Sequence, residues 1–387
     1  MKIVMFYHSL VSDWNHGNAH FLRGIAAALQ RRGHTVKIYE PENGWSYRNM
    51  LQDGGTAAAQ EFRRRFPTLR SEFYNSQTLN LEAALDGANL VLVHEWNEPE
   101  LIGRIGQHHK LQDDYILFFH DTHHRAASSP KQMEDLDLSG YDGALVFGEV
   151  IKNTYEQKGW VENVFTWHEA ADTTVFKPKE NAERSGDLVW IGNWGDEERN
   201  AELQEFLFEP ALSLRLKTCI HGVRYPEKVK EMLAGSKIEY GGWLPNYRVP
   251  ELFSRYRFTV HVPRRIYRTT LPGVPTIRPF EAMACGIPLI SSPWQDSEGL
   301  FTPGKDYLTA ADGTEMKKQM RMLLNEPDFA SELAVHARET ILARHTCEHR
   351  IAELFSIYHS LKNTPPGTET GILTEMESGM KTEKGDC

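Results

Sequence analysis

Short apolar runs alternate with helix-length segments along most of this 387-residue chain, and this alternation constrains the fold more than any other feature. Parallel strands joined by crossover helices produce this pattern. The predicted strands are residues 3–7, 36–39, 90–93, 116–119, 144–147 and 164–166 in the first half, and residues 188–191, 216–220, 238–240, 258–261 and 287–291 in the second. The sequence therefore predicts an α/β fold with two doubly wound parallel sheets.

A polar, proline-containing stretch separates the two halves and predicts the domain boundaries. Residues 44–80 interrupt the alternation and are interpreted as a helical or loop insertion. In chain order, the predicted units are a Rossmann-like domain at 1–170, a linker at 171–183, a second Rossmann-like domain at 184–345, a C-terminal helix at 346–362 that packs back on the first domain, and a disordered tail at 363–387.

Composition excludes several classes of protein. Basic residues number 43 and acidic residues 53, so the net charge of −10 argues against binding of nucleic acid, although a local basic pocket stays possible. No apolar run reaches the ~18 residues of a membrane helix, which leaves only peripheral membrane contact open. The four cysteines form no CxxC pair, which excludes a zinc ribbon and fits a cytoplasmic location.

Polar residues follow several predicted strands of the first half. His94 and Glu95 come directly after one strand, and His120 and Asp121 come after the next. Because the carboxyl ends of parallel strands meet at one edge of a sheet, these side chains are expected at a cleft between the two sheets. A metal site that includes His120 stays a minor alternative, since the helical spacing of its neighbouring histidines has no meaning after a strand.

Several motifs, in order, resemble those of GT-B glycosyltransferases of the retaining family 4 (group 1) type, and most closely those of CgeB-like glycosyltransferases. His16–Asn18 resembles the glycine loop of that family, and Phe119–Asp121 resembles its "VHD" strand end. Ala170–Pro178 resembles the linker motif "NGVDTxxFxP", and Arg278–Pro288 resembles the sugar-nucleotide motif "LEAMACGxPV". The resemblance implies two facing Rossmann-like domains with an interdomain cleft.

The resemblance also implies an activity. It implies metal-independent transfer of a sugar, with retention, from a nucleotide-diphosphate sugar to a carbohydrate or protein acceptor, with a UDP-sugar favoured and no other cofactor. The leaving diphosphate then accepts the proton of the acceptor. A sugar-nucleotide epimerase or hydrolase, and a catalytically degenerate binding or structural protein, stay as alternatives. The family has a sugar-contacting glutamate eight positions before Glu281, where this chain has Gly273, and this difference supports the degenerate alternative.

The candidate site residues divide by role. His120 is expected to stabilise the reacting sugar, and Asp121 to orient its imidazole or to bind the acceptor. Glu281 is expected to bind the ribose diol. Glu169, at the crossing between the halves, is interpreted as hinge packing, with a position facing the cleft as the alternative. The donor is expected to contact Gly17, Asn18, Gly192, Asn193, Arg199, Gly242, Arg264, Arg265 and Arg278. The acceptor is expected to contact His94, Glu95, His123 and His124, and no metal ligands are assigned.

Overall fold

A computed structural model describes residues 1–180 and 183–363, and these form two sheets in which every strand pairing is parallel. The first sheet contains β1 (Lys2–Phe6), β2 (Thr35–Pro41), β3 (Ser71–Tyr74), β4 (Leu90–His94), β5 (Ile116–Asp121), β6 (Gly143–Val146) and β7 (Val164–Thr166), in the order β3-β2-β1-β4-β5-β6-β7. The second contains β8 (Leu188–Ile191), β9 (Thr218–His221), β10 (Ile238–Tyr240), β11 (Phe258–His261), β12 (Leu289–Ser291) and β13 (Leu308–Thr309), in the order β10-β9-β8-β11-β12-β13.

Helices connect the strands and cover both faces of each sheet. In the first half they are α1 (Ala19–Arg31), α2 (Trp45–Arg65), α3 (Leu81–Leu85), α4 (Pro99–Gln112), α5 (Arg125–Ser128), α6 (Pro130–Glu134) and α7 (Glu149–Lys158). In the second half they are α8 (Asn200–Leu203), α9 (Glu209–Ser213), α10 (Glu227–Ala234), α11 (Val249–Phe253), α12 (Arg265–Thr269), α13 (Ile277–Ala284), α14 (Gly313–Asn325), α15 (Pro327–Arg344) and α16 (Cys347–Asn363). Short 3₁₀ turns occupy Asp196–Glu198 and Asn246–Arg248, and a π-helical turn occupies Gln204–Phe208.

The predicted α/β fold with two parallel sheets is confirmed. The sequence missed only two strands at the edges of the sheets, β3 and β13. Strand β3 lies in the segment interpreted as an insertion, and its residues Glu72 and Phe73 are exposed, so it lacks the apolar run of a buried strand. Strand β13 has two residues, which is too short for any periodicity. The remainder of the insertion is mostly α2, which is broken at Gly55.

The two halves share part of their core. One apolar cluster joins Met5 and Phe21 of the first half to Phe280 and Ile287 of the second. A second cluster, built on the first sheet, takes in Tyr267, Leu271 and Val274 from the second half. Apolar burial therefore holds the carboxyl edges of the sheets close to each other.

The chain passes from one half to the other at two segments that lie side by side and are hydrogen-bonded to each other. The Ala171 amide donates to the His345 carbonyl at 2.9 Å, and the Cys347 amide donates to the Ala171 carbonyl at 3.0 Å. Helix α16 then packs against α1, so closely that a Cβ added at Gly24 would lie 2.4 Å from Cys347 Sγ. The domain boundaries given above stay a prediction. Apart from Asn363, which ends α16, the predicted disordered tail lies outside the described residues, as do linker residues 181–182.

Candidate functional site

A cavity of about 530 Å³ lies between the carboxyl edges of the two sheets. This volume is within the range of about 300–1,000 Å³ that small-molecule sites occupy, and this edge is where open parallel sheets bind ligands. The first half contributes Asn15–Asn18 after β1, Trp45, Trp96 after β4, Thr122–His124 after β5, and Glu169 after β7. The second half contributes Gly192, Asn193, Asp196, Glu198, Arg199, Arg224, His261, Arg264, Tyr267 and Thr276–Arg278, among others.

Arg199 places a partly buried cation in the cavity wall. Its guanidinium donates to the backbone carbonyls of Asn193 and Val262, the latter at 3.0 Å, and lies 5.3 Å from the centre of the Trp190 ring. Among the described residues no carboxylate lies within ion-pair distance of Arg199, and desolvation lowers its pKa to about 10. A partly desolvated cation without a counterion favours a bound anion.

Other arginines of the cavity already have acidic partners. Arg264 forms an ion pair with Glu198 at 3.1 Å, and Arg278 forms one with Glu281. Both arginines are close enough to Arg199 to lower its pKa further. The three guanidinium groups therefore surround one part of the cavity, in a chain of net charge −10. This arrangement suits a diphosphate, since several guanidinium groups can each donate to phosphate oxygens.

Two loops bring backbone close to the same cavity from opposite sides. Gly17 lies so near the second half that an added Cβ would be 3.2 Å from Ile277 Cγ2, and Asn18 occupies the cap position before α1. From the facing loop, the Asn193 side chain donates to Asn15 Oδ1 at 2.7 Å. Gly17, Asn18, Gly192 and Asn193 thus all line the cavity, and the Asn15–Asn193 bond joins its two walls.

Of the predicted histidines, His123 and His124 line the cavity, whereas His120 is fully buried and does not. The Trp167 ring packs edge-on against the His120 ring, with 4.9 Å between the centroids. Within the part of the chain that the structure describes, neither nitrogen of the His120 ring has a hydrogen-bond partner. Burial lowers the pKa of His120 to about 3, that of His123 to about 2 and that of His124 to about 4. All three imidazoles are neutral near pH 7, so they can exchange hydrogen bonds there but carry no charge.

The other predicted residues of the first half support the loop that carries His123. Asp121 accepts hydrogen bonds from Tyr155 Oη at 2.7 Å and from the His123 amide at 2.9 Å. Glu95 pairs with Arg125 and accepts from Thr122 Oγ1 at 3.3 Å. His94 Nε2 lies 3.0 Å from the same hydroxyl. Asp121, His94 and Glu95 are buried and do not line the cavity.

Glu281 is fully buried and bonded on both carboxylate oxygens. Its Oε1 lies 3.1 Å from His20 Nδ1 on α1, and its Oε2 accepts from Arg278. The other His20 nitrogen accepts from the Asp172 amide at 2.8 Å, and the ring stacks on Phe176. Glu281 therefore joins the two halves and does not line the cavity. Its ribose contact stays a prediction, and would require the carboxylate to leave one of these partners.

Two predicted donor residues lie away from the cavity. Arg265 forms an ion pair with Glu202 at 2.9 Å, and half of its side chain is exposed. The Gly242 carbonyl accepts from the Gly222 amide at 2.9 Å, behind the loop that faces the cavity. Neither residue lines the cavity in this structure.

Glu169 lines the cavity, which is the alternative left open beside hinge packing, and its buried Oε1 has no hydrogen-bond partner among the described residues. The signal was its position after a strand, the same one that singled out His94. Other cavity residues were not identified from the sequence. Trp45, Trp96 and Tyr267 carried no signal, because single aromatic residues in loops are common.

Residues 1–180 and 183–363 contain neither a cluster of metal-ligating side chains nor a membrane-spanning helix. No group of three or more histidine, cysteine, aspartate or glutamate side chains there is arranged to hold a metal ion. No helix in this part of the chain is both long and apolar enough to cross a membrane.

Comparison with known proteins agrees with this architecture. Residues 199–356, which begin at Arg199 and include α13, match a family described as glycosyl transferase-like. No curated protein sequence matches the chain at a significant level. The chain has the GT-B fold, and its second half is glycosyltransferase-like in sequence.

Solved structures with the same fold extend over nearly the whole chain. Sucrose-phosphate synthase from Thermosynechococcus elongatus is 14% identical with a TM-score of 0.65, over 94% of this chain and 99% of its own. HepE of Anabaena, in complex with UDP, is 13% identical with a TM-score of 0.65, over 93% and 100%. An alpha-glucosyltransferase in complex with UDP and a 13-mer DNA is 12% identical with a TM-score of 0.70, over 93% and 99%.

Proposed function

We propose that this protein transfers a sugar from a nucleotide-diphosphate sugar, with UDP as the favoured nucleotide, to a carbohydrate or other acceptor. The observation on which this depends is Arg199, a partly buried guanidinium without a carboxylate partner among the described residues, in the wall of a cavity between two parallel sheets. The solved complexes of HepE and of the alpha-glucosyltransferase with UDP favour uridine over the other bases.

The proposed reaction assigns separate tasks to the two walls of the cavity. Arg199 and Arg264 bind the diphosphate and stabilise the charge that forms when the bond from the sugar C1 to phosphate oxygen breaks. The acceptor hydroxyl forms the new bond to C1, and its proton passes to the leaving phosphate. His123 and His124 donate or accept hydrogen bonds as neutral groups. Trp45 and Trp96 offer apolar ring faces to an acceptor sugar.

The finer features of the proposal come from the sequence resemblance. Retention of configuration, and the relation to family 4 and CgeB-like enzymes, rest on the motifs at 170–178 and 278–288. Independence of metal is proposed because guanidinium groups supply the positive charge that the diphosphate needs. A cytoplasmic location is proposed because Cys219, Cys285 and Cys347 are buried free thiols.

The decisive experiment is a screen of nucleotide sugars with the purified protein. Calorimetry with UDP, GDP and ADP identifies the base, and release of the diphosphate with and without acceptor glycans measures turnover. Transfer predicts release that depends on an acceptor, with an α-configured product by NMR from an α-configured donor. Turnover of donor without any acceptor would instead indicate the hydrolase or epimerase alternative.

Binding without turnover is a second candidate function, and Gly273 is the observation that favours it. This glycine stands where the related motif has a glutamate, has φ +84°, and an added Cβ would lie 2.5 Å from Ser297 Oγ. Nucleotide binding with no release of diphosphate from any donor would support this alternative.

A further inference from the structure

Glu169 is a buried carboxyl group in the cavity wall. The residue is 3% exposed, lines the cavity wall, and comes after β7 at the carboxyl edge of the first sheet. Within the described residues, Glu169 Oε1 is fully buried and has no hydrogen-bond partner. A buried polar atom without a partner destabilises the folded state, so its presence in a cavity wall indicates a ligand that satisfies it.

The charges around Glu169 disfavour its ionised form. Burial and the nearby Glu281 both raise the pKa of the Glu169 carboxyl, and Arg278 opposes them. Arg278 is bonded to Glu281 and does not form an ion pair with Glu169. Hydroxyl groups both donate and accept hydrogen bonds, so they suit this carboxyl group in either protonation state.

Position 273 cannot supply a carboxyl group to this part of the cavity. Gly273 has a positive φ, and an added Cβ would lie 2.5 Å from Ser297 Oγ and 2.7 Å from Glu298 Cγ. Any side chain there requires both a strained backbone and displacement of these neighbours. Position 273 therefore provides no carboxyl group in this chain.

We propose that Glu169 binds hydroxyl groups of the transferred sugar, and so takes the place of the glutamate that position 273 lacks. This inference rests on the proposed function, since it assumes a nucleotide-sugar donor in the cavity. The carboxyl group would accept hydrogen bonds from one or two sugar hydroxyls and thereby select donors by the number and configuration of those hydroxyls. Glu169 is then a donor-binding residue contributed by the segment that joins the two halves.

The test compares binding of the free nucleotide with binding of its sugar derivatives. Calorimetry measures Kd for UDP, GDP and ADP, and then for the glucose, galactose and xylose derivatives of each nucleotide that binds. The proteins are the wild type, Glu169→Gln, Glu169→Ala and a control, Glu197→Gln. Glu197 is exposed and adjoins the cavity without lining it, so the control makes the same change of charge nearby.

The inference predicts a change in one ratio. In Glu169→Ala, Kd for the free nucleotide stays within about twofold of wild type, while Kd for the best nucleotide sugar rises about tenfold or more. Glu169→Gln keeps a hydrogen-bonding oxygen, so its Kd for the nucleotide sugar lies between those of the wild type and Glu169→Ala. Glu197→Gln matches the wild type. The melting temperature of Glu169→Gln is equal to or higher than that of the wild type, because a carboxyl group without a partner has been removed.

Two failures are distinguishable. If a nucleotide binds but both Glu169 variants keep the wild-type ratio of nucleotide-sugar to nucleotide affinity, the inference is overturned and the proposed function stands. If none of the three nucleotides binds the wild type, the proposed function fails and the inference fails with it. A marked drop in the melting temperature of Glu169→Gln with an unchanged ratio would show that the residue is structural.

Discussion

Replacement of Arg199 by methionine is the sharpest test of the diphosphate site. The change removes the partly buried guanidinium that has no carboxylate partner among the described residues and keeps a long side chain against Trp190. A hydrogen bond to a charged group contributes about 1.5–3 kcal/mol. Because about 1.4 kcal/mol corresponds to a tenfold change in Kd, we expect Kd for UDP to rise by about 10- to 150-fold.

Calorimetry with UDP measures this change directly, and Arg265→Met is the matched control. Arg265 is also an arginine of the second half, but it is half exposed, paired with Glu202 and outside the cavity, so its replacement should leave Kd within about twofold. Arg199 also bonds backbone carbonyls at Asn193 and Val262, so its loss lowers the melting temperature. Binding is therefore measured at a temperature where circular dichroism shows each variant to be folded.

The refuting result is a folded Arg199→Met protein that binds UDP as tightly as the wild type. Such a result would show that the guanidinium serves only to hold the loop carbonyls. Arg199→Lys separates the two contributions, since it keeps the charge but loses the planar fork of donors. We expect Arg199→Lys to lie between the wild type and Arg199→Met in affinity.

Three further results are expected. Gly24→Ala should lower the free energy of unfolding by about 1–3 kcal/mol in urea titrations, because its Cβ would lie 2.4 Å from Cys347 Sγ. The control Gly103→Ala in α4 has room for a Cβ and should be neutral or stabilising. Equal effects of the two changes would contradict the packing of α16 on α1. Burial lowers the pKa of His120 from 6.5 to about 3, so below pH 6.5 the unfolded chain binds a proton that the folded protein does not. The free energy of unfolding therefore decreases as the pH falls through this range. Relative to His120→Phe, the unfolding free energy of the wild type should therefore decrease by about 1.4 kcal/mol per pH unit between pH 6 and 4, and a constant difference would show that His120 titrates normally. Sugar transfer should continue at the same rate in excess EDTA, and a loss that Mg²⁺ or Mn²⁺ restores would contradict metal independence.

The sequence was sufficient to predict both sheets and much of the cavity wall. Strands of an open parallel sheet are buried on both faces, so they stand out as short apolar runs. The residues after those runs lie at one edge, and this placed His123 and His124 at the expected cleft, whereas Gly17, Asn18 and Arg199 were singled out with the help of the family resemblance. All five line the cavity. Only the edge strands β3 and β13, which lack such runs, were missed.

Only the tertiary structure determines which polar groups are available to bind a ligand. His120 and His123 leave the same strand, yet one ring packs under Trp167 and the other reaches the cavity. Glu281 and Glu169 are both buried carboxyl groups of the cleft region. Glu281 is hydrogen-bonded to His20 and Arg278, whereas Glu169 Oε1 has no hydrogen-bond partner among the described residues. Periodicity in a sequence fixes where a strand ends, whereas the direction and partners of a side chain depend on contacts with residues that are distant in the chain.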